Sequence, residues 1–248
     1  MRLLLALALF LVTTPAWSAP TYIYSNYKKL DNRATVEVSF TTGTQDNRIL
    51  LLAVNQINSG TPASPVFSTA SFVYVTAVAY DANRYGLWLW YSKNPPAGIT
   101  GNITVTTGSG DHAITAVEYH GVDQTTPLAD WDLSKAAVGA AANTQTLTLT
   151  ATTANSMLVS FYTADGAQRS TPTASTQRVN QSWSRVQELS APSIGDVAFT
   201  WLVHAFGYAS AIDVILNPAP VVSVSAPTLL SPYLQNTLLP NLQPKRLR

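Results

Sequence analysis

LWLWYSKNPPAGITGNITVTTGSGDHAITAVEYHG, residues 87–121, decides the fold. Its apolar residues recur with a period of two, as in a strand, and no stretch holds the 3.6 period of a helix. Asn94-Pro95-Pro96-Ala97-Gly98 stops the first run, because proline has no N–H for a central ladder and glycine takes positive φ at little cost. Residues 108–111, Gly-Ser-Gly-Asp, predict a tight hairpin between strands 102–107 and 112–119. Working outward, Thr35-Val36-Glu37-Val38-Ser39-Phe40 alternates cleanly, and Ile49 to Val54 is an unbroken apolar run suited to burial on both faces. Further strands are expected at 72–80, 85–92, 144–150, 156–163, 183–190, 195–203 and 208–216. About eleven short strands between turn residues predict an all-β fold: a single antiparallel β-sandwich, jelly-roll-like. Segments 120–143 and 164–182 carry no strand in this reading and are expected to be long loops.

The chain opens MRLLLALALFLVTTPAWSAP, one arginine before ten apolar residues and then small ones. This is the layout of a secretory signal peptide over residues 1–18, too short in its apolar part to span a bilayer. Export to a secreted or cell-surface location is expected. The domain is then 19–217, and residues 218–248, with six prolines, read as a flexible tail. There is no cysteine, so an exported core must hold without disulfides. Removing Arg2 with the leader leaves 13 basic and 13 acidic residues, three of the basic ones at 245–248. No basic face remains to follow a phosphate backbone, which argues against nucleic acid as a partner. A sparsely charged, Thr/Ser/Asn/Gln-rich surface favours polar ligands or self-association.

Three stretches carry a resemblance: residues 87–128, ending GVDQTTPL; residues 143–166, NTQTLTLTATTANSMLVSFYTADG; and residues 211–220, AIDVILNPAP. Together they resemble a family of secreted or surface β-sandwich domains of bacterial extracellular proteins and some phage structural proteins, with the pattern WY-x-x-NPPAG followed by GVDQTTP. The resemblance implies a sandwich fold and a role beside enzymes or adhesive modules. The chain departs from it at residues 71–86, SFVYVTAVAYDANRYG, where the family carries a Tyr-Gly-Gly turn. On physical grounds GVDQTTP is a turn, with the Asp123 carboxylate accepting a backbone N–H two residues on.

Candidate chemistry is thin. Glu118 and His120 share a strand face about 6–7 Å apart, and with Asp123 they offer an acid–base or metal set that is weaker than the turn reading. His204 stands alone on an apolar strand. No nucleophile elbow, zinc helix motif, Walker loop or dinucleotide fingerprint occurs. Asp130 and Asp132 flank Trp131, an arrangement in which hard oxygen ligands suit Ca²⁺, so a calcium site is weighed against an ordinary polar loop. Alternation places Trp88 and Trp90 on one face, either in the core or as an exposed platform. Trp131 and Trp183 sit in or beside the long loops as aromatic contacts for a sugar ring. The expectation is a non-enzymatic exported module that binds glycan or a cell-surface partner through Trp131, Trp183, Trp88 and Trp90. An assembly component of a phage particle or envelope comes second, and a carboxylate-dependent hydrolase third.

Overall fold

The structure is a computed structural model that describes residues 17–57, 60–80, 85–138, 143–164, 168–169, 175–181, 183–191, 193–204 and 207–221. The expected leader up to residue 16 and the tail from 222 lie outside them. The described residues form β1 (Thr21–Thr41), β2 (Ile49–Ile57), β3 (Val73–Tyr80), β4 (Tyr85–Lys93), β5 (Thr100–His120), β6 (Leu128–Val138) and β7 (Asn143–Ala151). They continue with β8 (Ser156–Ala164), β9 (Gln168–Arg169), β10 (Thr176–Asn180), β11 (Arg185–Ala191), β12 (Gly195–His204) and β13 (Gly207–Leu216). The fold is all-β, in antiparallel, sandwich-like sheets of order β1-β5-β2-β4-β3, β10-β11-β8-β13-β6 and β7-β12-β9. The first five strands share one sheet, so this strand order does not display the jelly-roll alternation between sheets.

The period of two explains how the layers meet. On β2, Ile49, Leu51 and Ala53 point to one side, where they join Leu87 and Leu89 of β4 and Val159, Phe161, Ile212 and Val214 of the second sheet. Leu50, Leu52 and Val54 point to the other side and pack with Trp88, Trp90, Val36, Val38, Phe40, Ile103 and Val105. Each fully buried large side chain contributes roughly 1.5–3 kcal/mol, and an apolar run such as 49–54 belongs in a strand covered on both faces.

That second cover comes from an unexpected place. Residues 108–111 make no hairpin: β5 runs through them, paired with β1 from end to end. Pairing with β2 covers only the second half of β5, from Asp111 to Tyr119. The β1–β5 ribbon shifts register between Leu30 and Thr35, where Asn32 takes φ 51° and donates its N–H to Asp111 Oδ1 at 3.0 Å. Bulges with glycine nearby bend a ribbon sharply, and here the outer halves of β1 and β5 fold over the back of β2 and β4. Asn26 Nδ2 donates to Ser39 O at 2.7 Å across this fold.

The back of the second sheet packs on β7 and β12 through Leu147, Leu149, Leu158, Tyr162, Phe199 and Trp201. Tyr162 and Trp201 stack with ring centroids 4.5 Å apart. In the same layer Trp201 Nε1 donates to Ser160 Oγ at 2.8 Å, and Ser160 Oγ donates to Asp213 Oδ1 at 2.5 Å. The expected loops 120–143 and 164–182 instead contain β6, and β9 with β10.

One compact unit spans Trp17–Pro220. Pro218 and Pro220 form isolated bridges with Val122 and Trp17, and Ala219 N donates to Gly121 O at 2.7 Å. The first residues of the expected tail are thus held against the 121–123 turn. Trp17 lies within the segment that cleavage after Ser18 would remove.

Candidate functional site

The quoted motifs converge on one buried residue. Arg48 donates from Nη1 to Glu118 Oε1 at 3.0 Å, from Nη2 to Pro95 O at 2.6 Å and from Nε to Gln45 O at 2.7 Å. Its backbone N–H donates to Asn94 Oδ1 at 3.0 Å, and its carbonyl accepts from Gln124 Nε2 at 3.1 Å. Asn94, Gly98 and Gly121 take φ 41°, 64° and 72°, so the NPPAG and GVDQTTP turns are clamped with their left-handed residues in place. Glu118 is fully buried and its Oε2 accepts the Gly43 N–H at 2.8 Å. Burial pushes its carboxyl above the ordinary range, against the opposing pull of the Gly43 N–H and the Arg48 charge. Glu118 is therefore a structural partner of Arg48, and Glu118, His120 and Asp123 do not combine into a site.

Asp123 does what its spacing predicts. Oδ1 accepts the Thr125 N–H at 2.8 Å, and Oδ2 accepts the Thr126 hydroxyl at 3.2 Å. We expect Asp123→Ala to lower the unfolding free energy by about 1 kcal/mol, read from urea denaturation, with no change of fold by circular dichroism.

The four expected aromatic contacts divide. Trp88 and Trp90 are each 3% exposed, within the core between β2–β4 and the folded ribbon. The platform reading gives way to the core, because no sugar ring reaches them. Trp131 is 45% exposed on β6, at one edge of the second sheet. Trp183 is half-buried ahead of β11, and Lys29 Nζ lies 4.0 Å from its ring centroid. Its carbonyl accepts from Asn55 Nδ2 at 2.6 Å and Thr163 Oγ1 at 2.8 Å, so the backbone that carries the indole is fixed.

The acidic pair on β6 is occupied by backbone. Asp130 accepts the Trp131 N–H with Oδ1 and the Thr150 N–H with Oδ2, both at 2.9 Å. Asp132 Oδ1 accepts the Leu133 N–H at 2.7 Å. No group of three or more His, Cys, Asp or Glu able to hold a metal occurs among the described residues.

The edge opposite Trp131 holds a site that the sequence reading missed. There β1, the edge of the first sheet, meets β10, the edge of the second. Ser25 Oγ donates to Arg178 O at 3.3 Å and hydrogen-bonds Tyr22 OH at 2.9 Å. An open polar groove of about 220 Å³ lies along this seam, lined by Ser25, Asn26, Tyr27, Arg178, Asn180 and Gln181. Arg178 holds its guanidinium 4.2 Å from the Tyr22 ring centroid and ion-pairs with Glu188. The hydrogen bond to Glu188 pushes the Arg178 guanidinium further up, so it is permanently charged. Behind it Tyr119 is fully buried, its hydroxyl raised well above the ordinary range first by burial and then by the Glu188 charge. One signal lay in the sequence: Tyr22, Tyr24 and Tyr27 cluster within TYIYSNY, residues 21–27.

No family model, no curated protein and no solved structure matches the chain. What the geometry of the described residues defines is a class: an all-β, sandwich-like domain with a polar edge groove and an exposed apolar edge.

Proposed function

We propose that the protein is an exported, non-catalytic binding module that engages a polysaccharide of a cell surface along the β1/β10 seam. The observation that carries this reading is the groove itself. At about 220 Å³ it is smaller and more polar than the roughly 300–1,000 Å³ clefts that enclose small molecules. An open groove with amide and hydroxyl side chains, beside Tyr22 and Trp183, suits a chain lying across it, since aromatic faces take sugar rings and amides take hydroxyls. Binding is favoured over hydrolysis because the carboxylates that two-acid chemistry would use are engaged: Glu118 with Arg48, Asp130 with two backbone N–H groups.

The test is binding on a glycan array, with and without EDTA. Asn180→Ala and Trp183→Ala each weaken binding about tenfold in this reading, and Trp131→Ala and EDTA leave it unchanged. Binding lost with Trp131 and kept with Trp183 would move the site to the other edge.

A second reading rests on that other edge. Trp131 on β6 and Val73 and Tyr74 on β3 are 45–53% exposed, at the strands that border the two sheets away from the groove. Exposed aromatic edges suit assembly with further copies. Light scattering that shows a concentration-dependent oligomer, dispersed by Trp131→Glu, would favour it.

A further inference from the structure

We infer that the seam's ligand is an acidic polysaccharide, one that carries carboxylate or sulfate groups; this deepens the seam reading above and rests on it. The first observation is how charge is sorted on a chain whose formal net charge is only +1. Lys28, Lys29 and Arg33 lie on β1, and Arg178 and Arg185 lie on β10 and β11. The acids beside them are engaged: Asp31 pairs with Lys29 at 2.9 Å, Asp111 accepts the Asn32 N–H, and Glu188 pairs with Arg178. Glu37, also on β1, accepts from Asn102 and Thr104, so among the described residues five cations stand against four acids at this edge. Across the sandwich the balance reverses, with Asp130 and Asp132 on β6, Asp196 on β12 and Asp123 in the adjoining turn against Lys93, Lys135 and Arg169 of β9, which pairs with β12. A polar groove at the positive end of such a field gathers anions.

The second observation is local. Arg178 lines the groove, and its buried Nε–H has no hydrogen-bond partner among the described residues. Buried donors are almost always satisfied, and a charged one left unpaired is costly. The Arg178 side chain as a whole is 28% exposed, and a carboxylate or sulfate oxygen bonds such a guanidinium with charge assistance, which a neutral hydroxyl matches less well. Further along this edge Lys29, paired with Asp31, is set over the Trp183 ring, and Lys28 is exposed on the opposite face of β1.

The experiment is affinity electrophoresis of the full chain in native gels that contain polygalacturonate, dextran sulfate or a neutral β-glucan. Retardation by either anionic polymer, well above that by the glucan and lost at about 0.5 M salt, is the expected result. The comparison of the two anionic gels tells carboxylate from sulfate. Lys28→Gln/Arg33→Gln is expected to weaken the retardation about five- to tenfold, and Lys135→Gln on the far edge to leave it unchanged. Equal, salt-insensitive retardation by the β-glucan would overturn the anionic class and leave the polysaccharide reading standing. Equal weakening by Lys135→Gln would reduce the effect to net charge and overturn the site. No retardation in any gel, with or without growth of a self-assembled species in light scattering, would overturn both readings.

Discussion

Arg48→Ala is expected to lower the unfolding free energy by about 3–5 kcal/mol. The guanidinium and the Glu118 carboxylate are both buried, and each is the other's neutralising partner. Removing one leaves a charge that burial penalises and that water cannot reach. The loss extends past the pair, because the Arg48 side chain also satisfies Pro95 O and Gln45 O, the carbonyls of two turns. Glu118→Gln keeps the shape and the Gly43 contact but strands the Arg48 charge, so it destabilises in the same direction. Arg48→Met/Glu118→Leu removes both charges and is expected to recover a large part of the loss, as apolar replacements of buried pairs commonly do. Urea unfolding of the three variants is the check. A loss below about 1 kcal/mol for Arg48→Ala would mean that the pair behaves as a surface salt bridge.

The second large effect is a dependence of stability on pH that comes from Asp213. The residue is fully buried between the second sheet and β12, and burial pushes its carboxyl up to about 8, helped by the nearby Asp132 charge and opposed by the Ser160 hydroxyl. The folded protein therefore keeps a proton that the unfolded chain releases near the ordinary carboxylate range. Between about pH 4 and pH 8 the native state binds more protons, so its stability falls as pH rises, by up to about 1.4 kcal/mol per unit. Below that interval both states are protonated, above it neither is, and the contribution levels off. Glu118, raised in the same direction, adds to the slope just above the ordinary carboxylate range. Asp213→Asn keeps an acceptor for Ser160 and removes the titration. The variant is expected to be more stable than the parent at pH 9, by on the order of 3–5 kcal/mol, and close to it at pH 4. Denaturant midpoints at the two values decide it; parallel curves at both would contradict the account.

Much of the fold was legible in the sequence for a plain reason. Where both faces of a strand are apolar, as on β2 and β4, the run of Ile, Leu, Val and Trp can only sit between two layers. The Asx turn at Asp123 was equally direct, since its chemistry is local. What stayed hidden was non-local. On β6, Trp131 and Leu133 alternate with Asp130, Asp132 and Ser134, a clean period of two, but aspartate is rare in strands and made the segment look like a loop. The glycines at 108 and 110 carried a turn signal, yet β1 and β2 flank β5 near this point and keep it extended, so the signal became a bend in a ribbon. The groove was least legible of all. Half of it comes from residues 25–27 and half from 178–181, and neither segment shows its partner.

The most direct test of the binding account is an amide chemical-shift map of the protein titrated with a galacturonate hexamer. The account predicts shifts concentrated at residues 22–29 and 178–183, fading as salt is raised. Shifts centred on Trp131 and the β3 and β6 edges, or none at millimolar concentrations of this hexamer, of a sulfated dextran oligomer and of a β-glucan hexamer alike, would contradict it.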